Sequence, residues 1–315
     1  MWEILFQIFL LAVGFVLLVK GADFFVDSAS SLAKKLHIPE LVIGLTIVAM
    51  GTSAPEAAVS ITAALKGSAD ITIGNIVGSN ILNILIILGL SSLFSNIKFA
   101  KSSVKIDIPF MMIISLLLLL LGLDGGLQLL DGIIMLVVFV VYLAYLFIDA
   151  KKNPAPQIEE TTKNKLYDKL WYVLLMIILG LGMIILGSTL AVDSATYLAR
   201  QIGVSERFIG LTIVALGTSL PELFTSVVAA RKGNADIAIG NIVGSNIFNI
   251  LFVVGLSSTI ITVPFAADFI IDAIVAIVAG VILFIPALIS GKLNKKTGII
   301  MLLTYAVYFA FLCIK

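Results

Sequence analysis

The stretch that decides the fold is GLTIVAMGTSAPEAAVSITAALKGSADITIGNIVGSNILNILIILGLSS, residues 44–92, because the chain contains a second copy of it. Residues 210–258 read GLTIVALGTSLPELFTSVVAARKGNADIAIGNIVGSNIFNILFVVGLSS, and about 35 of the 49 aligned positions are identical. The same offset of 166 residues pairs GIIML at position 132 with GIIML at position 298. A fixed offset over this length indicates an internal repeat, so the chain consists of two related halves.

The composition is that of an integral membrane protein. Hydrophobic residues make up 60% of the 315 residues, charged residues only 12%, and the mean hydropathy is +1.17. Such values lie far outside the range of soluble globular domains, so we expect membrane lipid around the protein and no nucleic acid as a partner. Apolar runs long enough to cross a bilayer as helices recur along the chain. They predict ten spans, near residues 3–33, 39–65, 70–94, 106–122, 127–149, 168–199, 205–230, 236–261, 268–290 and 297–314.

Lys and Arg divide unevenly between the two sides of this arrangement. One side holds only Lys66, Arg200, Arg207 and Lys315, and the other side holds most of the remaining positive charges. By the positive-inside rule the richer side is cytoplasmic, which places both termini outside the plasma membrane.

The two halves are expected to have opposite orientations in the membrane. Each half carries five predicted spans, and because five is an odd number, the second half enters the membrane inverted relative to the first. The fold class is therefore an all-α membrane protein of ten helices. It comprises a first repeat at residues 1–150, a polar linker KKNPAPQIEETTKNK at 151–165 and an inverted second repeat at 166–315.

Each copy of the motif carries one glutamate in the middle of an apolar span. Glu56 follows Pro55, and Glu222 follows Pro221. A proline within a span interrupts the helix, and an axis in the membrane plane would bring the two glutamates together at the midplane. Charged residues at this depth are costly and mark functional sites, so we expect a cation or a proton to compensate them.

The residues around the glutamates are rich in uncharged oxygen. Carboxylate, hydroxyl, amide and carbonyl oxygens without His or Cys favour a hard cation, and the number of flexible oxygens suits Ca²⁺ better than Mg²⁺, with Na⁺ at the neutral oxygens. The hydroxyls precede each glutamate, and the other polar groups recur every four residues along one face of the following helix. The candidates are Thr52, Ser53, Asn75, Ser79, Asn83, Thr218, Ser219, Asn241, Ser245 and Asn249.

Other polar and small residues have simpler interpretations. Asn80 and Asn246 lie one residue off the polar face, which favours hydrogen bonds between helices over coordination. The GxxxG pairs at residues 74–78 and 240–244 are typical of close helix packing. Asp27 and Asp193 are interpreted mainly as interface groups near helix ends.

At GTSAPE with GNIVGSNILN, and at GTSLPE with GNIVGSNIFN, the chain resembles the sodium/calcium exchanger family of the calcium/cation antiporter superfamily. The stretches are similar to its alpha-1 and alpha-2 repeats, and the resemblance extends over the whole chain, in the compact prokaryotic form. It implies that Glu56 and Glu222 bind Ca²⁺ and that the other candidates bind Ca²⁺ or Na⁺. It adds the backbone carbonyls of Ala49 and Ala215 to the ligands.

The resemblance implies a Na⁺/Ca²⁺ antiporter that works by alternating access, with electrogenic extrusion of Ca²⁺, no cofactor, no enzymatic activity and a functional monomer. The long first and sixth helices, with Gly21 and Gly187, would slide across the core. Many family members have an aspartate where this chain has Asn249, so Asn83 and Asn249 form a neutral pair here. A Ca²⁺/H⁺ exchanger is the nearest alternative, because paired glutamates also accept protons. A cation channel or an intramembrane hydrolase is disfavoured by the internal repeat and by the absence of a Ser-His pair in the spans.

Overall fold

The computed structural model describes residues 2–154, 165–203, 213 and 215–314, except for the side chains of Asp70, Lys165, Asp168 and Ala215. Most of these residues are helical. The helices are α1 (Trp2–Leu36), α2 (Glu40–Thr52), α3 (Ala54–Leu65), α4 (Ile71–Phe94), α5 (Ser103–Gly122), α6 (Leu129–Lys152), α7 (Leu170–Gln201), α8 (Ala215–Thr218), α9 (Leu220–Arg231), α10 (Ala235–Ile260), α11 (Ala267–Ser290) and α12 (Lys295–Ile314).

Helices that are long and apolar enough to span a membrane account for most of the described chain. Eight qualify singly, and α2 with α3 forms a ninth candidate that is bent by 51° at its break. The structure thus confirms a helical protein of many spans. The one remaining predicted span, the seventh at residues 205–230, lies partly outside the described residues, which begin again continuously at α8.

The order of burial places α4 and α10 at the centre. In an 18-residue apolar stretch of each helix, the buried share of the residues is 78% for α4 and 94% for α10. In the other six helices that qualify singly, this share is 33% or less. Both central helices contain a stretch of π-helix, Asn83–Leu88 in α4 and Asn249–Val254 in α10. Such stretches widen a helix locally and occur frequently at functional sites.

The two halves interlock at several places. α6 packs against the C-terminal part of α10, and α12 packs in the same way against α4. Short antiparallel strands also pair across the halves: β1 (Ile97–Lys98) with β4 (Lys292–Leu293), and β2 (Gly126–Leu127) with β3 (Val263–Pro264). Each of these contacts has a counterpart at an offset of 166 residues, so the halves share one core.

The two longest helices, α1 and α7, cross at glycines. A side chain on Gly14 would come within 2.8 Å of the carbonyl oxygen of Gly187, and one on Gly21 within 2.8 Å of that of Gly180. The backbones therefore approach each other more closely than larger residues would allow.

Candidate cation site

The site is built around two breaks in the helices. α2 ends at Thr52 and α3 begins at Ala54, with Ser53 between them at φ −82° and ψ 8°, outside the helical range. Ser219 separates α8 from α9 with φ −88° and ψ 3°. Each proline lies at the start of the following helix, where its missing N–H is not needed. The prolines thus begin new helices, and the non-helical residue is the serine before them.

These breaks place the two glutamates in the first turns of α3 and α9. Glu56 is 1% exposed and Glu222 is 0% exposed. A helix N-terminus carries partial positive charge, which favours a carboxylate there but does not balance a full negative charge. Both carboxylates therefore need further compensation.

The motifs of the two halves meet by exchanging hydrogen bonds. Ser53 Oγ donates to Glu222 Oε1 at 2.7 Å, and Ser219 Oγ donates to Glu56 Oε1 at 3.3 Å. The side chains of Thr52 and Thr218 lie near the opposite glutamates in the same crossed manner. The glutamates and all four hydroxyl residues named from the sequence are thus brought into one cluster.

Twelve buried side-chain oxygen atoms have no hydrogen-bond partner among the described residues, and four of them belong to candidate residues of the site. These four are Glu56 Oε2, Glu222 Oε2, Asn83 Oδ1 and Asn249 Oδ1. Each belongs to a side chain that is at most 1% exposed, and each is an acceptor without a proton to donate when the glutamates are ionised. A buried acceptor without a partner costs roughly 1–3 kcal/mol, and more if it is charged. A cation would satisfy such a set.

The donor chemistry of this cluster fits a hard cation. Two carboxylates and several neutral oxygens resemble the oxygen ligands that Ca²⁺ takes. Within the described ranges there is no group of three or more His, Cys, Asp or Glu side chains that would suit a transition metal. The charge of the cluster is therefore confined to the two glutamates.

Asn75 and Asn241 brace the broken helices. Asn75 Nδ2 donates to Ser60 Oγ at 2.9 Å, and Asn241 Nδ2 donates to Ser226 Oγ at 2.9 Å. Each amide also lies 3.4 Å from the backbone carbonyl oxygen of the glutamate in its own half. The NH₂ groups therefore hold α3 and α9 in place and leave only the amide oxygens for an ion. Sequence reasoning missed both serines, although each lies four residues after its glutamate on the same helix face.

The amide oxygen of Asn241 connects the two halves. Thr52 Oγ1 lies 2.9 Å from Asn241 Oδ1, and also 3.1 and 3.3 Å from the carbonyl oxygens of Val48 and Ala49. Ser245 Oγ lies 3.4 Å from the carbonyl oxygen of Ala49. The carbonyl of Ala49 is thus at the edge of the cluster.

The remaining candidates have fewer contacts. Ser79 is buried, with 3% of its surface exposed, and lies on α4 between Asn75 and Asn83. Ala215 is the first residue of α8, and its side chain lies outside the described part of the protein.

Hydrogen bonds between α4 and α10 fix the centre of the site. Asn80 Nδ2 donates to the carbonyl oxygen of Asn246 at 3.2 Å, and Asn246 Nδ2 donates to that of Asn80 at 3.1 Å. Asn83 Nδ2 donates to Asn246 Oδ1 at 2.9 Å, and Asn249 Nδ2 donates to Asn80 Oδ1 at 3.1 Å. The expected helix-to-helix role of Asn80 and Asn246 is confirmed. The same bonds occupy the NH₂ groups of Asn83 and Asn249, whose Oδ1 atoms have no partner among the described residues.

A cavity borders the cluster. It measures about 430 Å³ and lies between α3 and α7, with Pro55, Ala58, Ser188, Asp193 and Thr218 in its wall. Thr218 is half-buried, whereas its counterpart Thr52 is fully buried. The two related sides of the site therefore differ in access.

Comparison with known proteins gives one consistent result. The profile described as "Sodium/calcium exchanger protein" matches residues 6–148 and 172–314. The "Putative antiporter CaxA" of Alkalimonas amylolytica is 41% identical over 94% of this chain and 95% of its own length. The "Sodium/calcium exchanger MaX1" of Methanosarcina acetivorans is 32% identical over 95% of this chain and 96% of its own length. The solved structure of the sodium-calcium exchanger NCX_Mj, soaked with zero Na⁺ and Ca²⁺, superposes with a TM-score of 0.86 at 31% identity. That superposition covers 98% of this chain and 99% of the other.

Proposed function

Because the chain belongs to the sodium/calcium exchanger family, we propose that it exchanges Na⁺ for Ca²⁺ across the plasma membrane by alternating access and extrudes Ca²⁺ with net movement of charge. The single observation that carries this proposal is the set of unpaired acceptor oxygens on Glu56, Glu222, Asn83 and Asn249. Two charges and several neutral oxygens in the interior of the protein are suited to an ion that is bound briefly and then released. Cation antiport itself follows from the family.

The proposed ion ligands are divided by charge. Ca²⁺ would lie between Glu56 and Glu222, where both formal charges are available, and Na⁺ would use mainly the neutral oxygens. Asn75 and Asn241 would contribute amide oxygens while their NH₂ groups brace the helices. The remaining proposed ligands are Thr52, Ser53, Thr218, Ser219, Ser79, Ser245, Asn83, Asn249 and the carbonyls of Ala49 and Ala215.

The proposed architecture is a pair of inverted five-helix repeats, residues 1–150 and 166–315, joined by the linker 151–165. The crossed hydrogen bonds support it, because Ser53 with Glu222 and Ser219 with Glu56 are exchanged by the offset of 166 residues. By the positive-inside rule both termini would lie outside. The cavity between α3 and α7 lies toward the C-terminal part of α7, so it would open to the outside.

Exchange would be obligatory because the empty site is unfavourable. Two desolvated carboxylates close to each other repel, so the carrier without a cation should be reluctant to change its orientation. The glycine crossing of α1 and α7 supplies a close contact along which these helices would slide together relative to the core. All residues of the proposed site come from one chain, which supports a functional monomer.

A Ca²⁺/H⁺ exchanger is the second candidate. Protons would also satisfy the unpaired oxygens of Glu56 and Glu222, but they would leave those of Asn83 and Asn249 without partners. The neutral pair therefore favours Na⁺.

Transport assays with three gradients distinguish these functions. We would measure ⁴⁵Ca²⁺ uptake into proteoliposomes loaded with Na⁺, with K⁺ or at acidic pH. We expect ⁴⁵Ca²⁺ uptake only into the Na⁺-loaded vesicles. Its rate should change when valinomycin sets the membrane potential. Uptake driven by the proton gradient alone would establish the second candidate. The absence of gradient-driven uptake in all three preparations would remove Ca²⁺ antiport.

A further inference from the structure

Lys232 joins the end of α9 to the middle of α1. Its Nζ lies 2.8 Å from Asp27 Oδ1 and 3.1 Å from Asp23 Oδ1, and it also donates to the carbonyl oxygen of Asp23 at 3.1 Å. The ion pair is partly exposed, with side-chain exposures of 29% for Lys232, 34% for Asp23 and 49% for Asp27. It lies between α1 and α9, outside the cation site.

The repeat supplies a counterpart for this ion pair on the other side. The offset of 166 residues relates Lys232 to Lys66 and Asp27 to Asp193. Lys66 follows α3, and Asp193 lies on α7 in the wall of the cavity. Among the described residues, the ion pairs found for Lys232 have no equivalent between Lys66 and Asp193.

The helices that carry these residues differ in the same way. α9 packs directly against α1, and the rings of Phe224 and Phe15 lie with their centroids 6.1 Å apart. The related helices α3 and α7 are separated by the cavity of about 430 Å³, where Ala58 occupies the position that corresponds to Phe224. One entrance is therefore closed and carries an ion pair, whereas the other is open and carries the same two charges apart.

We propose that Lys232 with Asp27 and Asp23, and Lys66 with Asp193, are alternating locks of the two entrances. The first lock holds the α1–α9 entrance closed while the α3–α7 entrance is open. The second forms when α3 closes onto α7, at the same time as the first opens. This inference rests on the proposed alternating access and names the charged residues that bias it. Exposed ion pairs are weak, so each lock should shift the ratio of the two states about two- to five-fold.

Cysteine cross-linking tests whether the locks exclude each other. The single cysteine is removed by Cys313→Ser, and cysteine pairs are introduced at 27 with 232 and at 66 with 193. Each pair alone should form a disulfide under mild oxidation. A protein with all four cysteines should form one disulfide or the other, never both in one molecule. Both in one molecule, or no cross-link between 66 and 193, would overturn the proposal.

A labelling experiment gives a second measure that does not depend on cross-linking. Phe224→Cys in the Cys313→Ser background places a thiol at the closed entrance, and its labelling rate by a maleimide follows the fraction of molecules open there. Lys232→Ala should raise this rate two- to five-fold, and Lys66→Ala should lower it by a similar factor.

Lys98→Ala, an exposed lysine on β1, is the control and should leave the rate unchanged. Equal effects of Lys232→Ala and Lys66→Ala would contradict the alternating locks. Both experiments are done with Na⁺ present, so that the carrier can change its orientation. They measure cross-links and labelling rather than Ca²⁺ flux, so a failure of Na⁺/Ca²⁺ exchange would leave their outcomes readable.

Discussion

Glu222→Gln is the substitution that probes the charge of the site with the least change in shape. Glu222 is 0% exposed, its Oε1 accepts the hydrogen bond from Ser53, and its Oε2 has no partner among the described residues. Glutamine retains an acceptor for Ser53 but replaces the free oxygen with an NH₂ group. The variant therefore removes one of the two formal charges and places a donor where the cation is proposed to bind.

The expected loss of affinity is large. Removing one partner of a buried, hydrogen-bonded charge pair costs about 3–5 kcal/mol. Since about 1.4 kcal/mol corresponds to a factor of ten, Ca²⁺ should bind roughly 140- to 3,700-fold more weakly. The stability of the ion-free protein should change in the opposite direction, because Glu56 no longer faces a second carboxylate.

Calorimetric titration of the purified protein with Ca²⁺ in Na⁺-free detergent measures the first effect, and thermal unfolding without Ca²⁺ measures the second. The matched control is Asp107→Asn, because Asp107 is also a buried carboxylate, 2% exposed, and lies outside the cluster. Its Oδ1 accepts a hydrogen bond of 3.0 Å from the hydroxyl of Tyr142. A dissociation constant for Glu222→Gln within tenfold of the unsubstituted protein would refute the reasoning, as would an equal loss in Asp107→Asn.

Three further substitutions test the packing and the access route. A side chain at Gly180 would meet the backbone nitrogen of a residue on α1 at 2.8 Å. Gly180→Val should therefore destabilise the protein by about 1–3 kcal/mol in thermal unfolding. The control Gly182→Val should have little effect, because there is open space around Gly182. Asn80→Ala removes hydrogen bonds to α10 and should lower stability by about 1–2 kcal/mol, and an unchanged unfolding curve would contradict this role. Ala58→Phe places in the cavity a phenyl ring like that of Phe224 at the closed entrance, so it should slow ⁴⁵Ca²⁺ uptake several-fold. The control Ala58→Ser should leave the uptake rate unchanged. Equal rates in the two variants would show that ions enter elsewhere.

The sequence predicted the helical membrane architecture and the family, because long apolar runs and an exact repeat offset are strong signals. It also predicted that the helices break near each glutamate. It did not identify the non-helical residue, because a proline in a sequence is compatible both with a kink and with the first turn of a new helix. In the structure Pro55 lies in the first turn of α3, and Ser53 is the residue outside the helix.

The orientation of each asparagine side-chain amide could not be predicted from the sequence. Asn75 and Asn83 share one helix face, and the same spacing predicts a ligand for both. In the structure Asn75 directs its NH₂ group to Ser60, and Asn83 directs its NH₂ group to α10. These choices depend on partners from other helices, which periodicity along one helix does not reveal.

The unequal entrances were also not predictable. Related residues such as Lys66 and Lys232 have nearly the same local sequence, so the repeat alone predicts equal surroundings. Among the described residues, an ion pair to an aspartate is found for Lys232 and not for Lys66. This difference is what the proposed inverted-repeat carrier, open to one side at a time, would produce.

The central claim is that one divalent cation binds between Glu56 and Glu222, and anomalous diffraction tests it most directly. Crystals of the protein soaked in Sr²⁺ without Na⁺ would be compared with crystals soaked in Na⁺ alone. We predict an anomalous peak between the two carboxylates, at roughly the 2.3–2.6 Å from their oxygens that is usual for Ca²⁺ or slightly farther for the larger Sr²⁺, and its loss in Na⁺. A Sr²⁺ peak elsewhere in the protein, with none between Glu56 and Glu222, would contradict the account.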